Sequence, residues 1–91
     1  MVIEMDRREN AEIRDRILDY LYKNETENPG KDSYISRDEM LKHLNVNEKL
    51  MDFNIYYLKD KRLINLREII NSPWTSAKIT SSGIDKVEYR K

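Results

Sequence analysis

Ninety-one residues with 17 basic and 17 acidic side chains make one domain with no room for a second. The charged fraction of 37% is high, but 38% hydrophobic residues still suffice for a small core. The lack of cysteine excludes a disulfide framework and a thiolate metal site, and no apolar run reaches the roughly 20 residues that span a bilayer.

The start, Met1 to Met5, is too short and too acidic for a signal peptide, so a soluble cytoplasmic protein without membrane association is expected. Charge is unevenly spread. Residues 1–30 hold five Lys/Arg against eight Asp/Glu, and residues 31–91 hold twelve against nine. Such asymmetry is expected if only one face meets phosphates.

Met1 to Asn10 is charged, with Val2, Ile3 and Met5 as its apolar residues. It either frays, extends the first helix, or packs on a second subunit. From Asn10 to Lys23 the apolar residues Ile13, Ile17, Leu18, Tyr20 and Leu21 recur at helical spacing, which predicts the first helix and a core-facing stripe. Asn24 to Ser33 reads as a loop, broken by Asn28-Pro29-Gly30. Tyr34-Ile35 is a short β-prone piece. Ser36 with Glu39 has the capping-box spacing, and a second helix follows over Arg37–Leu44 with Met40, Leu41 and Leu44 facing in. Asn45-Val46-Asn47 is a tight connection, with Asn47 as N-cap of a third helix.

In that third helix Met51, Ile55 and Leu58 fall at i, i+4 and i+7 and line one face, flanked by Leu50 and Asn54. Glu48, Lys49, Asp52, Tyr56 and Lys59 form the opposite, polar face, and Lys61-Arg62 closes the helix with positive charge suited to its dipole. Leu63 to Glu68 alternates and reads as a strand; Ser72-Pro73 marks a turn; Ala77–Thr80 is a second strand, completing a hairpin. Ser81 or Ser82 caps a last helix, Gly83–Tyr89, anchored by Ile84 and Val87. The whole is α+β and mostly α.

No enzyme chemistry, metal or cofactor is expected. His43 is the only histidine, Gly30 and Gly83 are the only glycines, and the serines read as caps and turns without a base beside them. Asp38-Glu39 point to different sides of a helix and form no dyad.

Tyr57-Leu58-Lys59-Asp60-Lys61-Arg62-Leu63-Ile64 is similar to the "YLKDKGLI" end of the third helix in small prokaryotic winged helix-turn-helix transcriptional regulators. Ala77-Lys78-Ile79-Thr80-Ser81-Ser82-Gly83-Ile84-Asp85 resembles the "KIT-x-x-G-I-D" junction of the same group, and Ile17–Leu21 fits its first helix. The likeness covers nearly the whole chain but rests on structural motifs. Arg62 stands where the group usually has glycine.

The resemblance implies a three-helix core with a β-hairpin wing, the third helix in the DNA major groove and the wing against the neighbouring groove or backbone. Carried onto this sequence, it makes Asn47, Lys49, Asp52, Phe53 and Tyr56 the base-facing residues. Arg37, Lys59, Arg67, Trp74 and Lys78 become the backbone or wing contacts. Trp74 allows two readings: an exposed contact, or a side chain folded back over the hairpin. Glu48 and Asp52 would repel phosphates, and Phe53 with Tyr56 would equally suit a protein partner. The expected function is sequence-specific duplex DNA binding as a homodimer; the alternative is a protein-interaction module of the same fold. The first helix with its Val2-Ile3-Met5 extension, or the last helix, is the expected dimer surface.

Overall fold

The computed structural model describes residues 2–29 and 31–90, and the side chains of residues 2–8 lie outside that description. The elements run α1 (Val2–Glu27), β1 (Ile35–Ser36), α2 (Arg37–Leu44), α3 (Glu48–Asp60), β2 (Ile64–Glu68), β3 (Trp74–Ile79) and α4 (Ser81–Tyr89). The chain is α+β and mostly helical, with one three-stranded antiparallel sheet in the order β1-β3-β2. No helix among the described residues is long and apolar enough to cross a membrane.

α1 is longer at both ends than the apolar stripe predicts. Ile13, Ile17, Leu18 and Leu21 bury their side chains as expected. Asn24 to Glu27 carry no breaker, so the helix runs on until Asn28-Pro29 stops it. Asn24 then ties down the following loop, its Nδ2 donating to the Ser33 carbonyl at 2.9 Å, while Ser33 Oγ donates to Glu25 Oε1 at 2.5 Å. The backbone of residues 2–10 is helical, and the dimer surface expected of Val2, Ile3 and Met5 concerns side chains outside the described residues.

The caps of α2 and α3 follow the sequence. Ser36 Oγ accepts from the Glu39 N–H at 3.1 Å, and Asn47 Oδ1 accepts from the Leu50 N–H at 3.1 Å. The capping box is one-sided, because the Glu39 carboxylate accepts from Tyr20 Oη at 3.0 Å. That bond and partial burial push the Tyr20 phenol up to about 12, burial being the larger cause. Between the helices Asn45 takes a left-handed conformation, φ 52°, and its N–H returns to the Leu41 carbonyl.

α3 ends in a Schellman arrangement. The Leu63 N–H reaches back to the Leu58 carbonyl at 3.0 Å and the Arg62 N–H to Lys59 at 2.9 Å, with Arg62 held at φ 63°. A non-glycine residue there costs about 1 kcal/mol in backbone sterics. Arg62→Gly is therefore expected to raise stability by up to about 1 kcal/mol, read from the denaturant midpoint at unchanged slope. A lowered midpoint would show that the arginine side chain contributes more than its backbone costs.

In the hairpin Ile64 pairs with Ile79, Leu66 with Ala77 and Arg67 with Ser76, but Glu68 pairs with Trp74. Thr75 is thus the extra residue of a β-bulge on β3, and the strand starts three residues earlier than its alternation predicts. The bulge reverses the phase of the strand, so Trp74 and Ala77 both face the core. Thr80, not Ser81 or Ser82, caps α4: its Oγ1 accepts from the Gly83 N–H at 3.1 Å and donates to the Arg62 carbonyl at 2.8 Å. Gly83 is required by close packing. A Cβ there would lie 2.2 Å from the Leu63 carbonyl oxygen and 2.6 Å from Ile79 Cγ1. The core lies between α1, α3 and the sheet, with Ile17, Leu18, Met51, Ile55, Leu58 and Trp74 at its centre.

Candidate functional site

The outer face of α3 is where the sequence places its contact residues. Met51, Asn54, Ile55 and Leu58 are buried, which turns the opposite side of the helix outward at 100° per residue. Lys49 and Phe53 stand on that side, and Phe53 is 57% exposed. The helix is fixed against α1 by a buried polar contact. Asn54, fully enclosed, accepts from Arg14 Nε at 2.8 Å and donates to Asn10 Oδ1 and the Leu50 carbonyl, each at 2.8 Å. Every polar atom of this side chain is satisfied, so it sets the register of α3 on α1 without the cost of an unpaired buried amide.

On the side towards α2 and the sheet, four residues form one clamp. Arg37 gives two hydrogen bonds to Asp52, Nε to Oδ1 at 3.1 Å and a terminal nitrogen to Oδ2 at 2.7 Å, and a third to Glu48 at 2.6 Å. The indole Nε1 of Trp74 donates to the same Asp52 Oδ1 at 2.9 Å. The bonded Asp52 carboxylate raises the Arg37 pKa further, with Glu48 adding to the effect. The arginine side chain is only 17% exposed, so this is a half-buried, bidentate pair of the kind that holds geometry.

This clamp corrects the sequence reading at three residues. Trp74 is 1% exposed and is no surface contact; of its two readings, the folded-back one holds. Arg37, placed for a phosphate, is taken by two carboxylates. Asp52, placed against bases, is directed at Arg37 and Trp74. Two further residues are partly occupied. Tyr56 Oη accepts from the Trp74 N–H at 3.2 Å. The amide oxygen of Asn47 is used as the cap, so the two-bond pairing with adenine would compete with that cap.

Lys59, at the end of α3, and Arg67, on β2, are also paired. Lys59 lies 2.7 Å from Glu68, whose carboxylate raises the lysine pKa. Arg67 lies 3.0 Å from Asp32 and stacks its guanidinium 3.9 Å from the Tyr34 ring centroid. The Asp32 carboxyl is held below its usual range by the Tyr34 N–H first, then by Arg67. Both pairs are exposed and screened by solvent, so they hold their partners weakly and a phosphate can displace them. Of the predicted cations, Lys49 and Lys78 have no carboxylate within ion-pair distance among the described residues.

Two surface residues escaped the sequence reading. Ile69 and Ile70, beyond the end of β2, are 63% and 88% exposed. Their position after a strand and before Ser72-Pro73 was the available signal, since a hairpin turn leaves side chains without a partner strand. No protein-family model matches this chain, and no curated protein or solved structure matches it.

Proposed function

We propose that this chain is a winged helix-turn-helix domain that binds duplex DNA sequence-specifically, works in the cytoplasm as a regulator of transcription, and acts as a homodimer. One observation supports the reading above others: the outer side of α3, with Lys49 and Phe53, stays uncovered while its two carboxylates are turned aside and bonded by Arg37. Glu48 and Asp52 are the features most opposed to a polyanion, and Arg37 offsets one of their two charges, leaving the clamp at net −1. Function here is docking without bond chemistry. Lys49 reaches a guanine edge or a phosphate, Phe53 offers an apolar face to a thymine methyl, and Lys78 with displaceable Lys59 and Arg67 holds the backbone. A footprint this small favours two copies on two half-sites.

Selection from a random duplex pool tests the proposal. An enriched sequence shared among the recovered duplexes is the expected result, and a pool returned unenriched after several rounds would refute it. A second reading, an interaction module for a protein partner, has its own support in the exposed Phe53 and in the pairing of Lys59 and Arg67. It predicts a partner whose binding is lost in Phe53→Ser and unaffected in Lys49→Glu.

A further inference from the structure

We infer that the cleft between α1, the C-terminal end of α3 and α4 is a binding site for a small, multiply charged anion of phosphate or carboxylate type. The inference stands apart from the DNA reading and uses none of its residues. The cleft has a volume of about 320 Å³ and brings together cations from three separate parts of the chain: Arg14 of α1, Lys61 just beyond α3, and Lys86 of α4. Among the described residues no carboxylate lies within ion-pair distance of any of the three. The one acid on its wall, Asp15, is paired with Arg90 at 3.0 Å, an arginine that it shares with Asp19.

Arg14 is held ready for a ligand. Its Nε is spent on Asn54, and its guanidinium lies 3.6 Å from the centroid of Tyr57, also on the cleft wall. This fixes the plane of the group while its terminal nitrogens meet no protein acceptor among the described residues. Lys61 Nζ lies 5.6 Å from the centroid of the same ring, so one aromatic side chain carries two cations. The carbonyls at the end of α3 are closed by the Leu63 and Arg62 N–H groups, which makes them poor partners for Lys61. A concave wall with three cations against one carboxylate focuses positive potential and favours an anion over solvent, and a fixed guanidinium fork with two flexible ammonium groups suits oxygens spread over two or more centres. The volume is near the lower end for small-molecule sites, which limits the ligand to a compact species.

The test is amide chemical-shift titration of the ¹⁵N-labelled full chain with inorganic phosphate, pyrophosphate and citrate, against chloride at matched ionic strength. Saturable shifts centred on Arg14, Tyr57, Lys61 and Lys86 are expected with pyrophosphate or citrate, and the tighter of the two assigns phosphate or carboxylate chemistry. The double variant Lys61→Gln, Lys86→Gln alters exposed side chains and is expected to fold normally while weakening binding by at least about tenfold. Linear shifts equal to those of chloride, or equal affinity in the double variant, would overturn the site. A duplex arm separates the sources of phosphate. If duplex DNA moves these amides and the free anions do not, the cleft is part of a nucleic-acid surface and the proposal fails.

Discussion

Trp74→Ala is expected to remove about 3–5 kcal/mol of stability, the range for truncating a fully buried aromatic residue. Whole domains hold only about 5–15 kcal/mol, so the variant sits near the edge of folding. For a chain of this size each kcal/mol shifts the melting temperature by about 4–8 °C, which makes the loss easy to read from circular dichroism. The cause is twofold. The indole fills the space under the bulged start of β3, and its Nε1 is a donor to an Asp52 already bonded to Arg37. Trp74→Phe separates the two parts: it keeps most of the ring and is expected to lose only about 1–2 kcal/mol for the missing bond. Since Trp74 is the single tryptophan, its fluorescence also reports the folded state directly. A loss below about 1 kcal/mol in Trp74→Ala would mean that the indole does not fasten the hairpin to α3.

Lys49→Glu is expected to weaken duplex binding by about 30–100-fold, corresponding to about 2–3 kcal/mol for a lost charged contact replaced by repulsion. The fold is unharmed, because Lys49 is exposed and stands in the first turn of α3. A carboxylate in that turn interacts favourably with the helix dipole, so the melting temperature stays level or rises by the equivalent of a few tenths of a kcal/mol. The opposite signs of the two effects separate lost recognition from lost folding. Unchanged affinity, measured by fluorescence anisotropy with a folded variant, would remove Lys49 from the contact surface and shift support to the protein-partner reading.

The elements of the fold were largely legible because they rest on local rules. Met51, Ile55 and Leu58 repeat at helical spacing and are buried. Ser36 and Asn47 stand where a capping oxygen is needed and serve as caps. Arg62, replacing the glycine of the resembling motif, occupies the left-handed position that glycine favours. The misplacements have equally local causes. A strict period of two puts Thr75, not Trp74, on the buried side of β3, and only the pairing with β2 reveals the inserted residue. Alternation makes Thr80 the end of a strand, although its hydroxyl both caps α4 and holds the Arg62 carbonyl.

The candidate site was less legible, because its electrostatics are set by partners far apart in sequence. Arg67 meets Asp32 across 35 positions, and Arg37 meets Asp52 across 15. The acidic front and basic back of the chain gave no hint that single carboxylates would pair with most of the candidate cations. The same holds for the cleft: Arg14, Lys61 and Lys86 are unremarkable surface residues until three helices bring them to one wall.

On the proposed function, the outer side of α3 and the adjoining hairpin receive a polyanion. Duplex affinity measured across a salt series tests it most directly. With Lys49 and Lys78 engaged, and Lys59 and Arg67 released from Glu68 and Asp32, the plot of log affinity against log salt should fall with a slope between about −2 and −4 per bound copy, and about twice that for a dimer on two half-sites. No binding at low salt, or an affinity indifferent to salt, would contradict the account.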